Sequence, residues 1–301
     1  MNRLKSISIG IPAFNEAKNI GMLLTDISAQ DFKGYVLNSV IVASDGSTDN
    51  TIKVAKSFKN LPLLLFDNTV RQGVAEVQNQ ISASARSDIL VILNADIRIP
   101  SKSFIKKLVR PIAFENADLT SGKLEEVDIR NKFEKIIHTS MLVKRVIFEQ
   151  YKNGNNLYTC CGVARAFSKR FYSKLKYKTS IGEDAYSYFS CLANNFKYIQ
   201  AKNAIVFYKL PDNMGDHQRQ SIRFLQSKQK NIVFFGKELV ENEYNIPSKI
   251  LFLGIINAFR TYPKNFTLYL IIYTYLKIKS VFSSGIQNTW EISTSSKVFN
   301  I

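Results

Sequence analysis

The stretch DILVILNADI, residues 88–97, constrains the fold more than any other part of the chain. Five consecutive apolar residues, Ile89 to Leu93, stand between Asp88 and Asn94. A run this short and this uniformly apolar predicts a strand buried on both faces, the kind found inside parallel sheets. It then has to surface through Asn94 and Asp96, two polar residues spaced to point the same way. In open α/β sheets, ligands gather beyond the C-terminal ends of the strands. Asn94 and Asp96 are therefore candidate binding residues.

The sequence on either side supports such a sheet. Ser6 to Pro12 alternates Ile7, Ile9 and Ile11 as a strand does, and Ile20, Leu23, Leu24 and Ile27 then fall on one helical face. VLNSVIVAS (36–44) reads as a second strand, and DGSTDNT supplies turn and cap residues for a helix carrying Ile52, Ala55 and Phe58. LPLLLF is a third strand, and residues 73–85 a third helix. Alternation of this kind implies right-handed crossovers and a mostly parallel sheet. With 301 residues, 46% of them hydrophobic, the chain has enough material for one large α/β domain with an appendage.

Each strand end carries its own chemistry. After strand one, Pro12–Glu16 (PAFNE) lacks the G-x-G-x-x-G turn of a dinucleotide fold. After strand two come Asp45, Gly46 and Ser47, with Asp49 close behind. Carboxylates there accept hydrogen bonds from a base or a ribose and repel a bare phosphate. A diphosphate held beside them needs a divalent cation, and Asp96 is the candidate ligand for it.

IPAFNE, VIVASDGSTDNT, RQGVAEVQNQ and LNADI occur in the order and at the spacing of glycosyltransferase family 2, and the resemblance extends over residues 6–235. It implies a GT-A fold: a mostly parallel, Rossmann-like sheet flanked by helices, here with a C-terminal helical appendage. On that likeness residues 1–235 form the catalytic domain and 236–301 a helical, apolar extension. The implied activity is transfer of a sugar from a nucleotide-sugar, UDP- or GDP-linked, to a glycan or glycolipid hydroxyl with inversion, assisted by Mn2+ or Mg2+. Asp45 would read the base. Asn94, standing where the family has an aspartate, would hold ribose, and Asp96 the metal. Pro12, Glu16 and Gly73 complete the donor motifs. GEDAY places Glu183 and Asp184 in a first helical turn begun by Ser180 or Gly182, where the positive helix end favours anions. In the family this pair supplies the base, Asp184, and an acceptor contact, Glu183. Gln220, Arg223 and Phe224 resemble a Q-x-x-R-W motif with phenylalanine replacing tryptophan. His217 is either an additional metal ligand or diphosphate contact or a surface histidine, and Arg219 and Arg223 are candidates to offset leaving-group charge.

Plainer readings stand beside these. DGSTDNT alone is a common turn, the acidic pair a common helix cap, and QSIRF an ordinary amphipathic helix. A formal charge of +17 would suit a nucleic-acid binder, but no nucleic-acid motif accompanies it. A degenerate family member serving as a scaffold and a polyprenyl-phosphate glycosyltransferase are the remaining alternatives. Three cysteines, Cys160 and Cys161 adjacent, suggest no disulfide framework and a cytoplasmic setting. The first residues hold no apolar run long enough for a signal peptide. Residues 250–259 and 266–276 are apolar and aromatic, each short of a membrane span. They are expected either to pack on protein or to lie at the inner face of the membrane, helped by Lys277 and Lys279. Residues 283–301 are expected to be loosely ordered.

Overall fold

The computed structural model describes residues 3–178 and 182–282. Ser180 and the segment 283–301, both subjects of expectations above, lie outside them. Among the described residues the strands are β1 (Lys5–Ala13), β2 (Tyr35–Asp45), β3 (Leu63–Asn68), β4 (Ile89–Leu93), β5 (Leu119–Val127), β6 (Ala164–Ser168) and β7 (Tyr198–Lys209). The helices are α1 (Ile20–Ser28), α2 (Thr51–Lys56), α3 (Val74–Ser84), α4 (Phe104–Phe114), α5 (Lys132–Gln150), α6 (Lys169–Tyr172), α7 (Glu183–Ala193), α8 (Met214–Phe235), α9 (Lys237–Tyr244), α10 (Ser248–Thr261) and α11 (Pro263–Phe282). Helix α2 ends at Lys56, so Phe58 falls just beyond it and packs on the core from outside the helix.

Strand order in the sheet is β3-β2-β1-β4-β6-β5-β7. The first four are parallel, whereas β6 runs antiparallel to both β4 and β5. All five residues of β4 are buried, as its uniform apolarity requires. Ile7, Ile9, Ile11, Val40, Val42, Val91 and Leu93 form one face and share a core with α1, α2 and α4. Gly10 lies on the opposite face, where α3 comes so close that a Cβ would sit 2.3 Å from Ile81 Cγ2. Glycine at this position lets α3 approach the sheet.

Two compact units divide the chain. Of the described residues, the first comprises 3–125 together with those of 160–208; the second contains Glu126–Thr159 and residues 209–282. In the second unit α10 and α11 pack on α5, and Gly254 lies against Ile147. Asn131 and Glu134 close a capping box at the start of α5, which satisfies two otherwise unpaired amides. No described helix is long and apolar enough to cross a membrane.

Candidate active site

Asp45, the last residue of β2, is buried at the end of the parallel sheet. Its Oδ1 accepts hydrogen bonds from the amides of Gln72 (2.7 Å) and Gly73 (3.0 Å), and the Arg71 Nε lies 3.8 Å from Oδ2. Gly73 has φ +94° and Gly46 φ +74°, a region that disfavours side chains. A Cβ at Gly46 would fall 2.9 Å from the Arg71 amide nitrogen, so the loops after β2 and β3 touch backbone to backbone. The Arg71 guanidinium stacks over Phe14, 4.1 Å from the ring centroid. Reading the sequence missed both residues. Their signal was an aromatic after strand one and an arginine opening RQG. Beside Asp45 they offer flat surfaces on which a base can stack.

The loop after β1 is stitched to the loop after β2. Asn15, at φ +53°, takes the Thr48 amide on its side chain (2.8 Å) and gives its own amide to Ser47 Oγ (3.0 Å). Glu16 is buried; it accepts from Asn19 Nδ2 at 2.7 Å, and its amide donates to Thr51 Oγ1 at 2.8 Å. The Glu16 carbonyl takes the amides of Asn19 and Ile20, which closes the turn leading into α1, and Pro12 is half-buried.

Exposure alternates along the turn that leaves β4. Ala95, Ile97 and Ile99 are buried, while Asn94, Asp96 and Arg98 reach the surface in part. The turn is held at both ends. The Asn94 amide donates to Val163 O (2.9 Å), and the Arg98 backbone exchanges two hydrogen bonds with Phe207 (3.0 and 2.9 Å). The Arg98 guanidinium also grips Asp26 through two contacts of 2.7 and 2.8 Å. Oxygen donors presented on a fixed turn suit a hard cation.

The acidic pair opens α7. Gly182, at φ +66°, is the N-cap, Glu183 is buried and Asp184 half-buried. Gly162 fits against both, since a Cβ there would be 3.5 Å from Glu183 Oε1 and from Asp184 Cβ. Val163, the next residue, carries the carbonyl that receives the Asn94 amide. One short turn thus joins the exit of β4 to the start of α7. Burial pushes the neighbouring thiols of Cys160 and Cys161 upward, Cys161 to about 11, so both stay protonated at neutral pH.

His217, Gln220 and Arg223 lie on α8, in the second unit. His217 is buried, edge-on to Phe133 at 5.9 Å, with Ser221 Oγ 3.4 Å from Nε2. Burial, with a smaller contribution from Lys144, lowers its pKa to about 4, so the ring is neutral at physiological pH. Arg219 is ion-paired with the buried Asp216. Gln220 and Arg223 are half-exposed, and Phe224 projects into solvent with its ring 6.5 Å from Tyr158. No group of three or more His, Cys, Asp or Glu able to hold a metal occurs among the described residues. A cation on Asp96 and Asn94 would fit only with the rest of its coordination supplied by substrate oxygens and water, as is usual for magnesium.

A seven-stranded sheet of this order, with polar groups gathered at the C-terminal ends of its parallel strands, defines an α/β protein with its ligand edge there. The family model described as Glycosyl transferase family 2 matches residues 8–176, and the chain belongs to that family. Glycosyltransferase AglE of Haloferax volcanii is 29% identical over 126 residues, 40% of each chain. The 4,4'-diaponeurosporenoate glycosyltransferase of Staphylococcus aureus is 34% identical over 107 residues, 35% of this chain and 28% of its own. The chain thus spans well under two-thirds of these relatives. Among solved structures, the mannosyltransferase PcManGT of Pyrobaculum calidifontis, in complex with GDP-Man and Mn2+, superposes with TM-score 0.62 at 18% identity, covering 95% of this chain and 77% of that one. S. aureus TarS 1-349 with UDP-GlcNAc gives TM-score 0.55 at 18% identity, covering 69% and 59%. These two likenesses establish the GT-A fold.

Proposed function

We propose that residues 1–235 carry out transfer of one sugar from a nucleoside-diphosphate sugar to an acceptor hydroxyl, with inversion. The observation that supports this most is the Gly162–Val163 turn, which takes the Asn94 amide on one residue and packs against Glu183 and Asp184 on the other. Donor-side and base-side groups are thereby built onto one short segment. Asp45, Phe14, Arg71 and Gly73 receive the base, UDP or GDP being the nucleotides to try first, while Pro12 and Glu16 shape the wall beside it. Asn94 holds ribose. Asp96 would hold Mn2+ or Mg2+, which supplies charge neutralisation for the departing diphosphate. PcManGT was solved with GDP-Man and Mn2+, which supports this choice of ligands.

In the transfer step the Asp184 carboxylate accepts the proton of the acceptor hydroxyl as its oxygen bonds to the anomeric carbon. The bond from that carbon to the diphosphate breaks on the opposite face, and the nucleotide leaves with the electron pair. Glu183 orients the acceptor. The donor-side roles that the family resemblance implies for Gln220, Arg223 and His217, all on α8, are kept as part of this proposal.

A second reading, in which a polyprenyl phosphate is the acceptor, draws support from α10 and α11. Together they carry Lys249, Arg260, Lys264, Lys277 and Lys279 and no acid. Phe252, Leu253, Ile271, Ile278 and Val281 are at least half exposed there. Acid-free, apolar helices of this kind suit an anionic lipid surface, and on either reading residues 236–301 hold the catalytic region at the inner face of a membrane.

The test is a thermal-shift panel of UDP, GDP, CDP and TDP, each with Mn2+ or with EDTA. Stabilisation by one nucleotide only when metal is present is the expected result. The absence of any metal-dependent shift would count against the donor site. Asp184→Asn then separates the acceptors: transfer to a hydroxyl falls about 10²–10⁴-fold, whereas transfer to a phosphate, already an anion, survives.

A further inference from the structure

Arg165, the second residue of β6, is fully buried. A guanidinium stays charged in a protein and seldom enters the interior without a partner. Its Nη1 donates to the Glu183 carbonyl oxygen (3.0 Å), Ser187 Oγ (2.8 Å) and the Tyr177 hydroxyl (3.3 Å). Its Nη2 donates to Gln78 Oε1 (3.2 Å). All four acceptors are neutral. Burial opposes the charge, but Tyr177, Glu183, Cys160 and Asp184 favour it, and the guanidinium is held above its ordinary value.

Two helices meet at this side chain. Helix α3 contributes Gln78, and the loop that begins α3 is the one Asp45 grips through the amides of Gln72 and Gly73. Helix α7 contributes Glu183 and Ser187. Beside Gln78, Asn79 makes a reciprocal pair with the Tyr177 backbone: its Nδ2 donates to the carbonyl (3.0 Å), and its Oδ1 accepts the amide (2.9 Å). The middle of α3 thus binds both the start of α7 and Tyr177 upstream of it.

We propose that Arg165 is a positioning residue, which fixes the first turn of α7, and with it Asp184, to the helix whose N-terminal loop receives the donor. The proposal rests on the reading of Asp184 as base. It adds that a nucleotide seated against residues 71–73 is sensed at the acidic pair through α3 and Arg165. A lysine has no planar fork with which to reach both helices at once, so charge alone does not replace the arginine.

The experiment uses the full chain with Arg165→Lys, Arg165→Met and Gln78→Leu. Hydrogen exchange is followed with and without UDP or GDP plus Mn2+, beside thermal melting and transfer kinetics from UDP-glucose and GDP-mannose. In Arg165→Lys the amides of residues 183–187 exchange at least about tenfold faster, while β1 and β2 amides are unchanged. Turnover falls by about 10²-fold with little change in donor KM, because the base is displaced and the donor is not. Gln78→Leu gives the same pattern, smaller, and remains the test if the arginine variants do not fold. Unchanged exchange at 183–187 overturns the proposal, as does turnover that returns in full once the assay is run well below the variant's melting range. Asp184→Asn separates the two ideas. If that variant keeps its rate, the base assignment falls while the exchange data still decide whether Arg165 holds α7. If it loses transfer and exchange is silent, only the role of Arg165 falls.

Discussion

The C-terminal edge of the sheet and the α10–α11 pair use their side chains in opposite ways. At the sheet edge polar groups are buried and hydrogen-bonded to specific partners: Asp45 takes two amides, Glu16 an asparagine, and Arg165 spans two helices. In α10 and α11 apolar groups are displayed. Gly254, Ala258, Phe266, Tyr269 and Leu276 face inward, whereas Phe252, Ile271, Ile278 and Val281 are more than half exposed. Buried polar groups demand specific partners and so fix geometry, while an exposed apolar face fixes only a preference for something less polar than water. Under the proposed function, the first region serves recognition and the second docking.

The largest test of that contrast is Asp96→Ala. Metal-dependent nucleotide stabilisation should vanish, with melting of the ligand-free chain changed little because Asp96 is half-exposed. Full retention of the metal-dependent shift would remove Asp96 from the donor site. On the other side, Phe252→Asp with Ile271→Asp should cut binding to phosphatidylglycerol vesicles by about 10²-fold if the proposed lipid contact holds, since each replaces an exposed apolar side chain with a charge. Nucleotide affinity should stay the same. Sedimentation with vesicles checks the first and thermal shift the second; unchanged sedimentation would return α10 and α11 to a protein partner.

Two glycines sharpen the comparison within the fold. A Cβ would meet an isoleucine at 2.3 Å at both Gly10 and Gly254. Gly10→Ala should nevertheless cost more, about 1–3 kcal/mol, because Ile81 and Ile92 press on it inside a packed sheet. Gly254→Ala meets only Ile147, and the alanine regains about 0.5–1 kcal/mol of helix propensity. Thermal melts of the two variants check the order. A larger loss at Gly254 would mean that the helix pair is packed as tightly as the sheet.

Much of the sheet edge was legible because its signals are local. The alternating isoleucines of β1, the unbroken apolar run of β4 and the polar residues at the strand ends announce strands and a ligand edge within ten residues. What is missing from such a reading lies in partners distant in sequence. Arg165 sits in CGVARAFSKRFY with nothing nearby to mark it as buried, because Gln78, Glu183 and Ser187 lie 87, 18 and 22 residues away. The antiparallel half of the sheet was legible only in part: CGVARAFSKRFY reads as a small-residue strand and a following helix, as β6 and α6 are, but LTSGKLEEV is too polar to read as a strand, yet β5 pairs with β6. Runs of apolar residues marked the C-terminal segments, but not that more than half of their described apolar residues would face outward, since burial belongs to the fold and not to the helix.

Asp118 provides the smallest test, and one confined to the sheet side. Its carboxylate takes Arg170 Nε (2.5 Å) and Nη2 (2.8 Å), Ser168 Oγ (2.7 Å) and the Lys197 amide (3.2 Å). Burial alone would raise its pKa, but the hydrogen bonds from Arg170, Ser168 and Lys197 outweigh it and hold the group below the ordinary carboxylate value. The sign follows from linkage. An acid depressed in the folded state contributes stability that is complete above its unfolded value of about 3.9, and loses it as pH falls through the folded value. Asp118→Asn should therefore melt below wild type at pH 7, and the gap should narrow below about pH 4 as the wild-type carboxylate takes up its proton. Arg170→Ala should give a smaller gap that closes with added salt, since that guanidinium is largely in solvent while Asp118 is not. A gap independent of pH would mean that shape, and not charge, is what Asp118 contributes. The opposite end of the sheet, where Asp118 precedes β5, would then resemble the helix pair more closely than its hydrogen bonds suggest.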